Sequence, residues 1–273
     1  MLYDKLQDAI SFINKNVDFK PHVGIIPGTG LNGILDEIKV EECIPYAEIP
    51  HFPIPTVISH DGQLIFGTYR GVSIAALKGR FHFYEGIEHE MVTFGVRILA
   101  MLGIKQLLIT NITGSLNPVF KVGDLILVRD HINLQSSNPL RGVNDDRLGP
   151  RFPSMLRAYD PSLQKIAHQV AHSLSIPLQE GVYVSMNGPS LETPAEYNFL
   201  SIIGGDIVGM STVSEVIVAR QHGLETLVIS MVSNKCLPIE ELKEDSIEII
   251  LKNVSQAAPK MKMIIDGIVD HLK

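Results

Sequence analysis

The chain has 273 residues, of which 45% are hydrophobic and 19% are charged, a composition that excludes a disordered, collagen-like or fibrous protein. Its 23 Lys and Arg residues against 30 Asp and Glu residues give a formal charge of -7, so no global basic field is present to attract nucleic acid or an anionic membrane. Any anionic ligand must therefore be held by a local site.

The cysteines and the apolar runs indicate where the protein works and how it is organised. Cys43 and Cys236 lie far apart and outside any CxxC or Cys/His spacing, which argues against a disulfide framework and a structural zinc site. No stretch approaches the ~20 apolar residues of a membrane span. We therefore expect a cytoplasmic protein with no nucleic-acid or membrane partner. Apolar runs continue without a repeat or a linker, which predicts a single domain over residues 1–273.

The apolar patterns predict an α/β fold in which helices flank a central mixed, partly parallel β-sheet. The chain starts with an amphipathic helix within residues 1–16. Several strand-like runs are continuous rather than alternating, as in a sheet that is buried on both faces, and a turn at Tyr69–Gly71 joins two of them into an antiparallel hairpin. The predicted strands are Val23–Ile26, Gln63–Tyr69, Val72–Leu77, Gln106–Asn111, Asp124–Arg129, Gly181–Ser185 and Thr226–Val232.

Further helix signals follow along the chain. Between Ile87 and Leu102, apolar residues recur at spacings of 3 and 4 and a glycine comes next, which predicts a helix and its C-terminal end. Thr193–Glu196 and Thr212–Glu215 both match the capping box that marks a helix N-terminus. The last segment, Ile239–Lys273, is predicted to be helical apart from a kink or break at Pro259.

A glycine-rich loop follows the first predicted strand. Gly28–Gly33 formally matches the dinucleotide-binding pattern GxGxxG. Pro27 and the polar, acidic segment Leu35–Cys43, which stands where a second buried strand is needed, argue against that site. Tight glycine turns, the N-terminus of a following helix and the Thr29 hydroxyl instead suit a phosphate-like anion. A turn that needs glycine for its backbone alone is equally compatible with this segment.

The densest polar cluster lies in Lys78–Gly86, directly behind a predicted buried strand, where loop-borne active sites of α/β sheets lie. Arg80 can bind phosphate with two donors, and His82 can add a third. The alternative is a solvated turn with an aromatic anchor, and we favour the binding site. His60, just before the turn Asp61-Gly62, is a weaker candidate that fits a turn residue better.

Three further segments can contribute to one pocket. The small polar residues of Thr110–Pro118 allow a ligand to approach the backbone, although an ordinary turn explains them equally well. Ser211 stands one residue before Thr212, whose hydroxyl we interpret as a helix cap only, so Ser211 can face an anion at the helix N-terminus. Glu192 and Asn234 lie at loop edges. Together they can recognise a heterocycle with donor and acceptor edges, while each alone fits a solvated loop residue.

Taken together, these segments resemble the trimeric purine nucleoside phosphorylases of the inosine and guanosine type, within the nucleoside phosphorylase family that also contains methylthioadenosine phosphorylase. The resemblance spans nearly the whole chain and rests on ordered motifs: PGTGLNG at 27–33, KGRFHFYEG at 78–86, TNITGSLNP at 110–118, VGDLILVRDHINL at 122–134, NPLRGVNDDRLGPRFP at 138–153, NGPSLETPAE at 187–196, VGMSTVSEVIVAR at 208–220 and SNK at 233–235. It implies a glycosyltransferase of the pentosyltransferase class, active in purine salvage. Such an enzyme cleaves inosine, guanosine and their deoxy forms reversibly with phosphate, giving the free purine and (deoxy)ribose 1-phosphate. The resemblance also implies a homotrimer in which inorganic phosphate is a co-substrate and no metal or organic cofactor is needed.

The resemblance further implies roles for individual residues. The phosphate site is expected to contain Thr29, His60, Arg80, His82, the backbone amide of Ile112, and Ser211. In the nucleoside site, Tyr84 and Met210 are expected to contact the ribose, and Glu192 and Asn234 are expected to bind the purine. The residues expected around the purine are Thr113, Gly114, Leu191 and Val208. Phe152 is expected to extend into the nucleoside site of a neighbouring subunit. The residues expected to act in catalysis are His82, Glu192 and Asn234.

Asn234 distinguishes two branches of the family. A 6-oxopurine offers acceptors at O6 and N7 and a donor at N1, which the Asn234 amide and the Glu192 carboxylate complement. Adenine reverses that edge and leaves a buried carboxylate facing an acceptor, a loss on the order of 1 to 3 kcal/mol or more. The methylthioadenosine enzymes carry Asp at this position, so Asn234 favours inosine and guanosine.

Three departures keep other functions open. Leu191 replaces an aromatic residue that packs on the base, Thr113 resembles the methylthioadenosine branch, and Ile247 lies near the place of a missing histidine that contacts the ribose 5′-hydroxyl. A methylthioadenosine or adenosine phosphorylase is therefore the first alternative. A non-catalytic nucleoside-binding protein is the second, although it would be expected to lack phosphate- or purine-binding residues that are present here. A nucleosidase that uses water ranks lowest, because it has no need of a phosphate site.

Overall fold

The computed structural model describes residues 1–56, 62–242 and 246–273 of the chain. The strands in these ranges are β1 (Val23–Ile26), β2 (Lys39–Pro45), β3 (Gln63–Tyr69), β4 (Val72–Lys78), β5 (Gln106–Ser115), β6 (Leu125–Asn133), β7 (Leu178–Ser185), β8 (Ile207–Gly209) and β9 (Glu225–Lys235). The α-helices are α1 (Leu2–Asn16), α2 (His89–Val92), α3 (Phe94–Met101), α4 (Pro161–Ser173), α5 (Pro194–Ile202), α6 (Val213–Gln221) and α7 (Ile247–Asp270).

These strands join one mixed sheet in the order β2-β3-β4-β1-β5-β8-β7-β6-β9, and β9 also pairs with β5. The strands from β5 to β9 therefore close into a ring, from which β1 to β4 extend as an arm. β1 runs parallel to β4 and to β5, and β5 runs parallel to β9. The carboxyl ends of β1, β4, β5 and β9 consequently meet at one edge of the sheet, which is where ligands bind in open α/β folds.

Helices bury both faces of the central strands. Leu107 and Ile109 of β5 belong to one apolar cluster, which includes side chains of α1, α3 and α6. Leu108, which lies between them and points to the other face, belongs to a second cluster formed with α4 and α7. This arrangement explains why β5 is a continuous apolar run, and it confirms the predicted α/β fold with helices flanking a mixed sheet.

The strand predictions are confirmed in position and differ mainly in length. β1 and β3 have the predicted bounds, and β3 and β4 form the predicted hairpin with Tyr69 opposite Val72. β5 continues to Ser115, because its polar end stays paired with β9 as far as Lys235. The sequence patterns miss two strands: β2 is a charged, largely exposed edge strand, and β8 has only three residues. The segment that holds β2 is thus no second buried strand.

The helix predictions need three corrections. The helix predicted between Ile87 and Leu102 is divided at Thr93 into α2 and α3. The helix predicted after the glycine loop is only a short 3-10 turn over Asn32–Leu35. A kink or a break is predicted at Pro259; α7 continues through this residue, so there is no break. Pro259 lies on the exposed side of α7, where water can bind the carbonyl that loses its helical partner. The capping box at the start of α5 is confirmed.

Candidate active site

A cavity of about 740 Å³ lies where loops after β1 and β4, the ends of β5 and β9, and the segment between β8 and α6 come together. The parallel order of these strands explains why segments far apart in the sequence meet there. The predicted site residues that line the cavity are Thr29, Arg80, His82, Tyr84, Ile112, Thr113, Gly114, Leu191, Glu192, Val208, Met210, Ser211 and Asn234.

Two predicted site residues are not part of this group. His60 lies outside the described residues. Phe152 is 88% exposed and borders a separate hollow with Leu140, Arg151 and Met155. Phe152 therefore does not contribute to the cavity of its own chain, and its ring is accessible to another molecule.

Four of the residues that line the cavity are those whose side chains are predicted to bind phosphate, and we call these four the anion region: Thr29, Arg80, His82 and Ser211. Nε of Arg80 donates to Oε1 of Glu215 at 3.0 Å, and the two side chains are only 3% and 5% exposed. Nη2 of Arg80 is buried and has no hydrogen-bond partner in the part of the chain that the structure describes. Because an unsatisfied buried guanidinium N–H is costly, this group is a donor prepared for an anion.

Because of this ion pair, the hydrogen bonds at the start of α6 differ from those of the predicted capping box. A capping box requires Glu215 to bind the backbone of Thr212, but its carboxylate is turned to Arg80 instead. Thr212 has a φ of 71°, makes no side-chain cap, and accepts a hydrogen bond from Nδ2 of Asn111 at 2.9 Å. The predicted capping role of Thr212 is therefore wrong. Its hydroxyl also lies 3.1 Å from that of Ser211, which links the start of α6 to β5 beside the cavity.

A second carboxylate fixes His82. Nδ1 of His82 lies 3.1 Å from Oε1 of Glu85, which also accepts from the His82 backbone N–H at 2.8 Å. Thr56 donates to Oε2 of Glu85 from its backbone and its hydroxyl. Although burial raises the pKa of Glu85, the hydrogen bonds from His82 and Thr56 lower it to about 2. The imidazole also stacks on Tyr84 at 4.7 Å between ring centres, so its orientation on the cavity wall is set from two sides.

A different region, which we call the base region, contains Gly114, Glu192, Tyr197, Asn234 and Cys236. Burial raises the pKa of the Glu192 carboxyl, and hydrogen bonds from its own backbone and from the Tyr197 side chain oppose this only in part. A carboxylate with a raised pKa is a strong acceptor for an N–H group of a ligand.

The Asn234 amide has defined partners within the base region. Its Oδ1 accepts from the Ser233 hydroxyl at 2.8 Å, and its Nδ2 donates to Sγ of Cys236 at 3.7 Å. Asn234 lies opposite Gly114 in the paired strands β9 and β5. A Cβ at position 114 would come within 2.5 Å of that sulfur, so the close approach requires glycine. The second N–H of Nδ2 is the donor that a ligand in the cavity can use.

Sequence analysis missed several residues of the site. Cys236 follows Asn234 by two residues and lies one residue beyond the end of β9. The two-residue period of an extended chain is a signal that places both side chains on one face. No comparable signal indicated that Glu215 would bind Arg80, because that contact joins α6 to the loop after β4. The missed residues that line the cavity are Thr56, Asn111, Tyr197, Gly209, Ser233, Cys236, Ile250 and Leu251.

Residues 1–56, 62–242 and 246–273 show neither a metal-binding cluster nor a membrane-spanning helix. They contain no group of three or more His, Cys, Asp or Glu side chains placed to hold a metal ion. None of the helices in these ranges is long and apolar enough to cross a membrane.

Known proteins resemble this chain over nearly its whole length. Residues 22–270 match the family model of the phosphorylase superfamily. The chain is 45% identical to purine nucleoside phosphorylase 1 of Bacillus subtilis, over 94% of this chain and 96% of that protein. A Schistosoma mansoni purine nucleoside phosphorylase in complex with adenosine superposes with a TM-score of 0.93 at 37% identity, covering 99% and 98% of the two chains. A Schistosoma purine nucleoside phosphorylase in complex with guanosine gives a TM-score of 0.92 at 36% identity, covering 99% and 97%.

Proposed function

The chain belongs to the phosphorylase superfamily, and we propose that, as a purine nucleoside phosphorylase, it acts on 6-oxopurine nucleosides such as inosine and guanosine. Curated and solved relatives of that activity match it over nearly their full length. The enzyme is thus a pentosyltransferase of purine salvage, which moves a ribosyl group between a purine and phosphate.

One observation carries the proposal: a single cavity joins a buried guanidinium, whose Nη2 has no hydrogen-bond partner among the described residues, with a carboxylate and a carboxamide. Nη2 of Arg80 is the donor for phosphate, and His82 and Ser211 line the same region. Glu192 and Asn234 supply an acceptor and a donor in the base region. A phosphorylase needs both sites in one cavity, because phosphate and nucleoside react directly with each other.

The geometry suits direct attack by phosphate on the anomeric carbon. A phosphate oxygen forms a bond to C1′ while the bond from C1′ to N9 breaks, and the electron pair of that bond leaves with the purine. Positive charge that develops on the ribosyl group is stabilised by the phosphate, which Arg80 and His82 hold in place. Negative charge that develops at N7 and O6 of the purine is stabilised by the N–H of Asn234.

The two base-region groups favour a 6-oxopurine. An ionised Glu192 accepts from N1–H, and Asn234 donates to O6 or N7. Adenosine carries an acceptor at N1 and an amino donor at position 6, so the contacts of Glu192 and Asn234 at these two positions are mismatched, and only the N7 acceptor is common to both purines. The difference favours inosine and guanosine over adenosine and methylthioadenosine.

Several parts of the proposal concern the wider enzyme. The active form is a homotrimer in which the exposed Phe152 ring completes the nucleoside site of a neighbouring subunit. His60 contacts or admits phosphate, and the backbone amide of Ile112 donates to it. Tyr84 and Met210 contact the ribose. The reaction needs no metal or organic cofactor and takes place in the cytoplasm.

Release of free purine from inosine, guanosine, adenosine and methylthioadenosine, each with and without phosphate, tests the proposal. We expect inosine and guanosine to be cleaved only with phosphate. An adenosine phosphorylase is the second candidate, favoured by the Thr113 side chain on the cavity wall and by the solved relative in complex with adenosine. Phosphate-dependent cleavage confined to adenosine or methylthioadenosine would establish that alternative, and cleavage of no substrate would indicate a binding protein.

A further inference from the structure

The base region contains two polar side chains that the proposed function does not use. Tyr197 is 7% exposed and Cys236 is 1% exposed, and both line the cavity and pack in one small apolar cluster with Val208. Burial raises the pKa of the Tyr197 hydroxyl most, and electrostatic interactions with Cys236 and Glu192, followed by hydrogen bonds to the same two residues, raise it further. Since Sγ of Cys236 accepts from Asn234, a series of polar contacts joins Glu192, Tyr197, Cys236 and Asn234.

The strand pairing fixes the position of the sulfur in this series. The backbone N–H of Cys236 donates to the carbonyl of Ser115 at 2.8 Å. Gly114 leaves room for the thiol, since a Cβ there would lie 2.5 Å from Sγ and 3.5 Å from Nδ2 of Asn234. The backbone of β5 therefore packs closely against the thiol at Gly114, on the side of the Asn234 amide.

When Glu192 is ionised, a donor and an acceptor can be assigned to every contact in this series in one consistent way. An ionised carboxylate is an acceptor only, so the Tyr197 hydroxyl donates to it. The hydroxyl oxygen then accepts the S–H of Cys236, and the sulfur accepts an N–H of Asn234. At the other side of the amide, Oδ1 accepts from the Ser233 hydroxyl. Each contact in this order has one donor and one acceptor.

We propose that Tyr197 and Cys236 are positioning residues that keep the nitrogen of the Asn234 amide, rather than its oxygen, available to the purine while Glu192 is ionised. The inference rests on the proposed function, because it concerns how that site selects its purine. As a consequence, the ionisation of Glu192 and the orientation of the Asn234 amide are coupled. When Glu192 is a charged acceptor, the Asn234 side chain presents an N–H donor to the ligand. The series thus selects the complete donor and acceptor pattern of a 6-oxopurine.

Tyr197→Phe tests the series with little loss of packing, because the ring stays and only the hydroxyl is removed. The measurement is the ratio of kcat/KM for inosine to kcat/KM for adenosine, together with the KM for phosphate and the Tm. We expect the ratio to fall about tenfold, in the range of a lost buried hydrogen bond. The KM for phosphate should stay unchanged, because the anion region has separate contacts.

Cys236 offers a rescue experiment with a matched control. Cys236→Ala removes both the acceptor and the donor and should lower the same ratio, whereas Cys236→Ser restores a donor and an acceptor and should recover most of it. Cys43→Ala is the control, since this cysteine lies on the edge strand β2 outside the cavity. The double variant of Tyr197→Phe with Cys236→Ala should show no larger change in the ratio than one substitution alone, because either one interrupts the series.

The outcomes separate this inference from the proposed function. Wild-type protein that cleaves inosine only with phosphate, combined with an unchanged ratio in Tyr197→Phe and Cys236→Ala, overturns the positioning role and leaves the proposed function standing. Independent, multiplicative effects of the two substitutions also overturn it, since the residues would then act separately. Failure of the wild-type protein to cleave inosine with phosphate overturns the proposed function, and the inference fails with it.

Discussion

The anion region lies beside one half-buried glutamate and the base region contains another, and the two glutamates are in opposite electrostatic settings. Glu85 lies behind His82, and although burial raises its pKa, hydrogen bonds from His82 and Thr56 lower it to about 2. Burial raises the pKa of Glu192, which receives fewer hydrogen bonds from the protein. A carboxylate whose acceptor capacity is taken up by the protein orients its neighbours, whereas one with remaining capacity can bind a ligand.

The two regions also differ in how their polar groups are held. In the anion region, the buried ion pair of Arg80 and Glu215 joins the loop after β4 to α6. In the base region, neutral contacts at Asn234 depend on the close approach of β5 and β9. Substitutions in the first region should therefore affect the KM for phosphate, and substitutions in the second should affect the choice of purine. The predictions below test that separation.

Arg80→Lys should have the largest effect. Lysine keeps a positive charge beside Glu215, so no unpaired carboxylate is left buried. Its single nitrogen, however, cannot replace Nε toward Glu215 and Nη2 toward phosphate at the same time. We expect kcat/KM for phosphate to fall about 100-fold or more, as for the loss of one preorganised donor. The ratio of inosine to adenosine cleavage should change little.

Arg97→Lys is the matched control for that substitution. Arg97 is also buried, but it donates to Gln221 outside the cavity. Steady-state kinetics with phosphate varied at saturating inosine compare the two variants. Equal losses in both would mean that the Arg80 result reflects general damage to buried arginines, and the assignment of Nη2 to phosphate would have to be withdrawn.

Asn234→Asp should have the next largest effect, and in the base region. An ionised aspartate faces the O6 and N7 acceptors of inosine, whereas it can accept from the amino group of adenosine. We expect the inosine to adenosine ratio of kcat/KM to fall about 10- to 100-fold, the range given by one mismatched buried polar contact. An unchanged ratio would contradict the assignment of Asn234 as the selector.

Two glycine substitutions separate the regions by steric means. A Cβ at Gly28 would lie 2.7 Å from Cα of Asn111, and a Cβ at Gly114 would lie 2.5 Å from Sγ of Cys236. We expect Gly28→Ala to raise the KM for phosphate and Gly114→Ala to raise the KM for inosine, each about tenfold, as for overpacking of 1 to 3 kcal/mol. Gly33→Ala is the control, since only Oδ2 of Asp36 lies near its Cβ, at 3.6 Å. If both substitutions raised the same KM, the two regions would not be separate.

Much of the fold and of the site could be predicted from local sequence patterns. Continuous apolar runs located the central strands, and polar residues behind those strands located Arg80 and His82 at the cavity. The capping box at Thr193 also predicted the start of α5 correctly. Each of these features depends on neighbouring residues in the sequence, which a periodicity or a cap can report.

Two of the failures share a physical cause, because each depends on a contact between segments that are distant in the sequence. Thr212–Glu215 matched a capping box equally well, yet the buried Arg80 guanidinium takes the Glu215 carboxylate, since a buried charge must be paired. The polar residues up to Ser115 looked like a loop, but the pairing of β5 with β9 extends the strand through them. Sequence patterns indicate which local structures a segment can form, such as a helix cap or a loop. Contacts with distant segments determine which of these structures the segment adopts.

The smallest expected effect is a pH dependence of purine choice. Burial raises the pKa of Glu192, and the groups that face it include Glu196, Tyr197 and, through Tyr197, Cys236. As pH falls through this raised pKa, Glu192 becomes protonated and donates to the N1 acceptor of adenosine instead of accepting from N1–H of inosine. The inosine to adenosine ratio of kcat/KM should therefore decline on acidification, and this decline should begin at a higher pH than the pKa of an ordinary glutamate would give.

Other titrating groups should not change this ratio. Titration of phosphate itself affects both substrates alike and cancels in the ratio, and Glu85 stays ionised because hydrogen bonds hold its pKa near 2. Glu192→Gln, which cannot titrate, is the control and should give a flat ratio. A wild-type ratio that also stays flat from about pH 8 to about pH 5 would contradict the role of Glu192 and remove the electrostatic difference between the two regions.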